Sequence, residues 1–161
     1  MRILISLLAL ALAMLVGCAS YGGRGLAIGQ DGLPQVLAMM GQPAMQWRDA
    51  DGVQELAYPR GPVSPETFMV RIGADGKVQA VRNVLNAENF ARIKPGMALA
   101  EVQRILGPAS RVDDFPRRNE RVRDWPTEDL GDPAHFLVLF DAGKETVRTT
   151  LIQADRPPSM Y

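Results

Sequence analysis

Residues 93–108 read IKPGMALAEVQRILGP, and the rest of the chain is organised around this stretch. Its apolar side chains recur with the spacing of one helix face, which predicts a short amphipathic helix. They are Leu99, Val102, Ile105 and Leu106. Pro95-Gly96 indicates a turn before the helix, and Gly107 followed by Pro108 is typical of a helix end. Because a helix this short is not stable alone, it must pack on another element.

An earlier stretch of the chain carries the same features. Residues 33–40 place their apolar side chains on one helix face, and Gly41 follows them. Downstream of the two helices, Tyr58-Pro59 corresponds to Trp125-Pro126. The pairing of these features at a similar spacing indicates that one small unit occurs twice in the chain.

The strands of each unit are predicted from apolar alternation and from turn residues. Residues 68–72 alternate as a half-buried strand does, and Asp75-Gly76 is a strong hairpin turn. Residues 136–140, FLVLF, are apolar on both faces, which predicts a central and well-covered strand. Residues 115–133 hold several prolines and many charges, which predicts a long exposed loop or irregular hairpin around Trp125.

Together these patterns predict an α+β fold of two tandem repeats, residues 26–85 and residues 86–155. Each repeat is expected to be a short helix, or a helix pair, packed on a three-stranded antiparallel β-meander. Residues 86–90 are expected to open the second repeat with a short helical turn, and residues 156–161 to form a loose tail.

The first 17 residues have the pattern of a secretory signal peptide. Leu15–Cys18 also resembles the bacterial lipobox, in which the cysteine is diacylated and becomes the first mature residue. The alternative is that Cys18 is an incidental small residue near a cleavage site. Under the lipobox interpretation, residues 18–25 are a flexible lipidated tether, and the acyl chains hold the protein on a membrane surface. The acidic inner-membrane retention signal is absent, which implies the periplasmic side of the outer membrane.

Composition argues against several function classes. The 18 basic and 18 acidic side chains balance, without the basic excess of nucleic-acid binders. The sole histidine, His135, lacks a nucleophile motif, and the pairs Asp49/Asp51 and Asp113/Asp114 fit turns. We therefore predict a protein that is not an enzyme, with no cofactor, no metal site and no small-molecule substrate.

Aromatic and arginine side chains are the candidates for a protein-binding surface, because these residue types dominate interface hot spots. They are Trp47, Tyr58, Arg60 and Trp125. The alternative is that the three aromatic rings fill the core between helix and sheet. The arginine-rich loop 115–123 is a further candidate for contact with an acidic partner or with lipid headgroups, or is a solvated loop whose charges cancel.

The stretch Gly96-Met97, Val102 and Ile105–Gly107 resembles the helix signature of the SmpA/OmlA (BamE-like) outer-membrane lipoproteins. The resemblance implies helices on a three-stranded antiparallel sheet and an accessory role in the β-barrel assembly machinery. The double unit departs from that family. It is more similar to the tandem-repeat β-lactamase-inhibitor proteins, which grip a partner with a sheet face.

Two functions follow as expectations. The first is a non-catalytic outer-membrane lipoprotein that is an accessory or scaffold component in outer-membrane protein assembly or envelope integrity. Its partners would be the membrane, through lipid on Cys18, and the β-barrel assembly machinery or another envelope protein. The alternative is a periplasmic binding module that inhibits or senses an enzyme.

Overall fold

The computed structural model describes residues 22–155, in which the chain forms two four-stranded antiparallel sheets. The strands of the first sheet are β1 (Met45–Arg48), β2 (Gln54–Pro59), β3 (Thr67–Ile72) and β4 (Val78–Asn83). Those of the second are β5 (Arg111–Phe115), β6 (Glu120–Asp129), β7 (Asp132–Asp141) and β8 (Thr146–Ala154). In both sheets the strands are neighbours in chain order.

Three short α-helices accompany the sheets in the described range. Helix α1 (Leu33–Met40) precedes the first sheet, and α2 (Ala87–Phe90) and α3 (Leu99–Leu106) precede the second. The predicted helical turn at residues 86–90 is confirmed, because Asn86 caps α2 by accepting a hydrogen bond from the Asn89 backbone N–H. No helix within residues 22–155 has the length and apolar character needed to cross a bilayer. The signal peptide, Cys18 and the 156–161 tail lie outside the described residues.

The predicted fold class, with three-stranded meanders in tandem repeats, is wrong, because each sheet has four strands. The largest error is at residues 115–133, where the loop prediction followed the prolines and charges. Strand β6 instead pairs with β7 along ten residues each, and with β5 on its other side. Pairing with the apolar strand β7 outweighs the low strand propensity of that segment, since strand stability depends on context.

One face of the first sheet, its inner face, packs on α1. Val36 and Met40 of the helix join a buried cluster with Leu56, Val70 and other strand residues. Tyr58 closes this core by donating a hydrogen bond from its hydroxyl to the Gly41 carbonyl, at 3.1 Å. The aromatic ring therefore joins the sheet to the residue that ends the helix.

The inner face of the second sheet packs on α3 in the same manner. Val102 and Leu106 contact a cluster that includes Trp125 and Phe136. The Trp125 indole Nε1 donates to the Gly107 carbonyl at 3.3 Å, again at the residue that ends the helix. The short helix α2 adds Phe90, whose ring stacks on Phe136 with centroids 4.2 Å apart.

Helix α3 also lies against the other face of the first sheet, its outer face. A Cβ added at Gly107 would lie 2.9 Å from Thr67 Cγ2 and 3.5 Å from Ala57 Cβ. On the same side, Arg104 Nη1 is 2.9 Å from Asp49 Oδ1, and Arg104 Nη2 is 3.5 Å from Glu55 Oε2. The layers therefore follow the order α1, first sheet, α3, second sheet.

Candidate binding surface

The outer face of the second sheet is the face opposite α3, and its centre is aliphatic. The strand register aligns Val122 with Leu139, and Leu137 with Leu151. The first three of these side chains are half-buried, and Leu151 is 41% exposed. None of the four belongs to a hydrophobic cluster of the described residues. This surface is a candidate for contact with another macromolecule.

Leu137 and Leu139 were not predicted to form a surface, because residues 136–140 were predicted to be covered on both faces. The central position of β7, between β6 and β8, is confirmed. Burial differs between its two faces, however. Phe136, Val138 and Phe140 are buried against α3, whereas Leu137 and Leu139 remain half-buried. On β6, Val122 lies between two arginines in a segment that was predicted to be a long exposed loop or irregular hairpin, so it gave no signal for this outer face.

A buried carboxylate lies beside the aliphatic centre on the same face. Asp124 is 2% exposed, and its Oδ1 is 2.8 Å from His135 Nδ1, while its Oδ2 is 3.4 Å from Arg111 Nη2. The other ring nitrogen of His135, Nε2, is 3.3 Å from Asp155 Oδ2. Burial lowers the pKa of His135, but the hydrogen bonds and charges of Asp124 and Asp155 outweigh it and raise the pKa above its ordinary 6.5.

The cluster of Asp124, His135, Arg111 and Asp155 pairs opposite charges with one another. Its geometry does not bring a nucleophile within hydrogen-bonding distance of the histidine. Both nitrogens of His135 face carboxylates. The Ser110 hydroxyl, in the residue before Arg111, donates its hydrogen bond to the backbone carbonyl of Asp124 at 3.0 Å rather than to the imidazole. Within residues 22–155, no group of three or more His, Cys, Asp or Glu side chains could hold a metal ion.

The outer face of the first sheet has a different chemistry. Arg71 Nη1 lies 3.2 Å from Glu55 Oε1, and both side chains belong to this face. Arg104 of α3 reaches across to Asp49 and Glu55 and stands over the Trp47 ring, 5.9 Å from its centroid. The acidic side chains Asp49 and Glu55 on this side of the first sheet are therefore paired with an arginine from helix α3 of the same chain.

The four predicted protein-binding residues do not come together in one surface. Tyr58 and Trp125 are 3% and 1% exposed, so their rings are accounted for by the two cores. Trp47 is half-buried on the first outer face, beneath Arg104. Arg60 follows β2 and forms an exposed ion pair with Glu66, Nη1 to Oε2 at 2.7 Å.

The arginine-rich segment 115–123 is not one loop. Residues Pro116–Arg118 form a 3₁₀ turn between β5 and β6, whereas Arg121 and Arg123 lie on β6. Arg121 pairs with Asp114 and Glu145. The Arg123 guanidinium lies over the Phe140 ring, 5.9 Å from its centroid. The pair Asp113/Asp114, predicted to lie in a turn, belongs to strand β5.

A pocket of about 230 Å³ opens at the junction of the two sheets. Its walls come from the proline-rich loop after β2, from the residues after α3 and from the Trp125-Pro126 segment of β6. A second cleft, of about 340 Å³, separates the first outer face from α2 and α3 and is lined by Arg71, Arg82, Arg92 and Arg104 together with Glu55 and Glu88. Its four arginines outnumber its two glutamates, so the lining of this cleft is net positive.

Comparison with known proteins identifies no family. No family model matches the chain, and no curated protein matches it. Three solved structures are similar at low TM-score. YjgB, a DUF4309 family protein from Bacillus subtilis, has 18% identity and a TM-score of 0.32, covering 82% of this chain and 84% of YjgB.

A proposed β-lactamase inhibitor protein from Streptococcus mutans has 10% identity and a TM-score of 0.36, over 81% of this chain and 91% of the inhibitor. An extracellular SCP-domain protein from Bacillus anthracis has 12% identity and a TM-score of 0.31, over 86% of this chain and 47% of the longer protein. Likenesses at these scores carry no argument about this chain. None of the three is an SmpA/OmlA protein, so that resemblance stays a prediction.

Proposed function

We propose that this protein is a non-catalytic lipoprotein that binds a protein partner through the outer face of its second sheet. The observation that carries the proposal is the aliphatic centre of that face, formed by Val122, Leu137, Leu139 and Leu151, which lies outside the described hydrophobic clusters. An apolar centre with a charged border is the usual anatomy of a protein-binding patch.

The leader supports a membrane address for this binding module. Lipidation of Cys18 would tether residues 22–155 to the periplasmic side of the outer membrane, through a short glycine-rich segment. In that place the protein would be an accessory or scaffold component in outer-membrane protein assembly or envelope integrity. The alternative is an inhibitor or sensor of a periplasmic enzyme, which would bind that enzyme through the same outer face, as the tandem-repeat inhibitor proteins that the sequence resembles grip a partner with a sheet face.

The test is affinity purification of the full-length protein from detergent-solubilised native membranes. The variant Leu139→Asp places a charge in the aliphatic centre, and Leu130→Asp is its matched control because Leu130 is 99% exposed in the turn between β6 and β7. We expect wild type and the Leu130 variant to recover the same partner, and the Leu139 variant to lose it. Circular dichroism confirms that both variants fold.

Recovery of an unchanged set of proteins by the Leu139 variant would contradict the proposed surface. The identity of the partner separates the two functions, because barrel-assembly subunits support the accessory role and a periplasmic enzyme supports the inhibitor. Fractionation of Cys18→Ala tests the anchor independently. That variant is expected to leave the outer-membrane fraction, and unchanged fractionation would contradict lipidation.

A further inference from the structure

The cleft between the first outer face and the helices α2 and α3 is separate from the aliphatic surface of the second sheet. Its volume of about 340 Å³ falls within the range of roughly 300–1,000 Å³ that is typical of small-molecule sites. Part of its lining is apolar and buried, namely Met69 and Val84. The charged lining consists of two glutamates, Glu55 and Glu88, and four arginines, Arg71, Arg82, Arg92 and Arg104. This arginine cleft therefore has an excess of positive charge.

Two of the four arginines are paired within the chain. Arg71 Nη1 lies 3.2 Å from Glu55 Oε1, and Arg71 Nε donates to Gln79 Oε1 at 3.3 Å. Arg104 pairs with Asp49 and with Glu55. Glu55 thus contacts two guanidinium groups at once, and these contacts hold both groups in place. Neither arginine needs a ligand to compensate its charge.

The other two arginines have no carboxylate partner. Arg82 lies on β4 with its side chain exposed, and it forms no hydrogen bond or ion pair with any residue in the range 22–155. Arg92 follows α2 and donates from Nη1 to the side-chain oxygen of Asn89 at 2.9 Å, without an ion pair in the described part of the chain. Glu88, the remaining carboxylate of the lining, is likewise in no ion pair there. The sheet wall and the helix wall of the cleft therefore each contribute an uncompensated guanidinium group.

A phosphate monoester is the anion that suits two guanidinium groups on the two walls of one cleft. One guanidinium can donate two parallel hydrogen bonds to a carboxylate, so a single arginine is enough to satisfy both carboxylate oxygens. A phosphate monoester has three acceptor oxygens and a charge of about −1.5 to −2 at pH 7, which leaves room for a second guanidinium. The asparagines of the lining already donate from their side-chain amides to backbone carbonyls; they are Asn83, Asn86 and Asn89. The charged donors that remain for a ligand are therefore those of Arg82 and Arg92.

We infer that the arginine cleft binds a phosphate monoester, with Arg82 holding the phosphate from the sheet wall and Arg92 from the helix wall. The buried side chains of Met69 and Val84 lower the local dielectric constant, which strengthens the attraction between the guanidinium groups and the phosphate. A soluble phosphate ester and a lipid headgroup present the same group to the cleft. The cleft shares no residue with the aliphatic centre of the second sheet, so this inference goes beyond the proposed function and can fail independently of it.

The experiment is a calorimetric titration of the full-length protein, in a non-ionic detergent at constant ionic strength, with glycerol 3-phosphate. The double variant Arg82→Gln with Arg92→Gln is expected to lower the affinity at least about tenfold, because it removes both charge-assisted contacts. Arg117→Gln with Arg118→Gln is the matched control, since it removes the same charge from exposed positions of the 3₁₀ turn and should bind as wild type. Glu88→Gln removes the one unpaired carboxylate of the lining and is expected to raise the affinity. Circular dichroism confirms that each variant folds.

Absence of binding by wild type, or unchanged affinity of the double variant in the cleft, would overturn the inference. An equal loss in the control at Arg117 and Arg118 would also overturn it, because binding would then follow net charge alone. The source of the phosphate is read from competition by mixed micelles that contain phosphatidic acid or, for comparison, diacylglycerol, which lacks the phosphate. Competition by phosphatidic acid alone supports a lipid headgroup, and competition by neither lipid supports a soluble ester. The Leu139→Asp variant is expected to bind glycerol 3-phosphate as wild type does, which separates this site from the protein-binding surface.

Discussion

On the inner face of each sheet, an aromatic side chain donates a hydrogen bond to the glycine carbonyl that ends the packed helix, Tyr58 to Gly41 and Trp125 to Gly107. The outer faces of the two sheets differ in chemistry, since the first is charged where the second is aliphatic. Glu55 of the first outer face is matched by Arg104 of α3, whereas Val122 and its neighbours on the second have no described helix against them. The inner faces therefore make each sheet stable, and the outer faces decide what each sheet contacts next.

The largest expected effect is a difference in the free energy of unfolding between two tryptophan variants, one at the inner-face Trp125 and one at the outer-face Trp47. Trp125 is 1% exposed among the α3 cluster, so Trp125→Ala should lower the free energy of unfolding by about 3–5 kcal/mol. Trp47 is half-buried, and Trp47→Ala should cost about 1–2 kcal/mol. Urea denaturation followed by circular dichroism measures both. Equal costs would contradict the assignment of the two rings to different environments.

The next effect tests the contact between α3 and the first outer face. Gly41 and Gly107 both have φ near +75°, at +78° and +75°, so alanine at either is strained by about 1–3 kcal/mol. A Cβ at Gly41 meets nothing within 4 Å, whereas at Gly107 it meets Thr67 at 2.9 Å. We therefore expect Gly107→Ala to lower the melting temperature more than Gly41→Ala. The contact between α3 and the first sheet is refuted if the two variants melt alike.

A smaller effect is expected at the charges that join α3 to the first sheet. Arg104→Ala removes the pairs with Asp49 and Glu55 and the contact with Trp47, all of them partly exposed. The expected cost is about 0.5–1 kcal/mol, since exposed pairs contribute little. The hydrogen bond to Asp49 is the main cause of the raised pKa of the Arg104 guanidinium, and desolvation opposes it. Thermal melts at low and high salt measure the cost, which should fall as salt is added; an effect insensitive to salt would argue for packing instead.

The smallest effect is a pH dependence at the border of the second outer face. The pKa of His135 in the folded state is raised, so the protonated imidazole stabilises the fold. That contribution is complete below the ordinary pKa of 6.5 and is lost as the pH rises through the raised value. His135→Gln should flatten this decline in melting temperature. Because the chain has one histidine, a proton NMR titration reads its pKa directly, and a value below 6.5 would contradict the Asp124 contact.

Local structure was predicted well where the pattern of neighbours along the chain decides it. Helix α3 begins and ends where the apolar spacing and Gly107 place its bounds, and the helical turn at Asn86 was likewise confirmed. Strand β6 was missed because its prolines and charges disfavour a strand locally, and its pairing with β7 and β5 outweighs that preference. Strand β5, which pairs with β6, was missed with it, together with the outer face that β6 helps to form.

The candidate surface could not be predicted for a related reason. Residues 136–140 alternate between two equally apolar faces, and the sequence does not tell which face a helix covers. The aromatic residues were the more visible signal, yet Tyr58 and Trp125 serve the cores. The aliphatic pattern of the outer face becomes visible only when Val122 of β6 lies beside Leu139 of β7.

The sequence by itself determined the two short helices that end at Gly41 and Gly107, the hairpin turn at Asp75-Gly76 and a leader pattern that predicts a lipid anchor at Cys18. These follow from contacts and conformational preferences within a few residues. Only the tertiary structure decided that α3 lies between two sheets and that the second sheet keeps an aliphatic outer face. Both depend on contacts between residues far apart in the chain, such as Gly107 with Thr67, which no local pattern encodes.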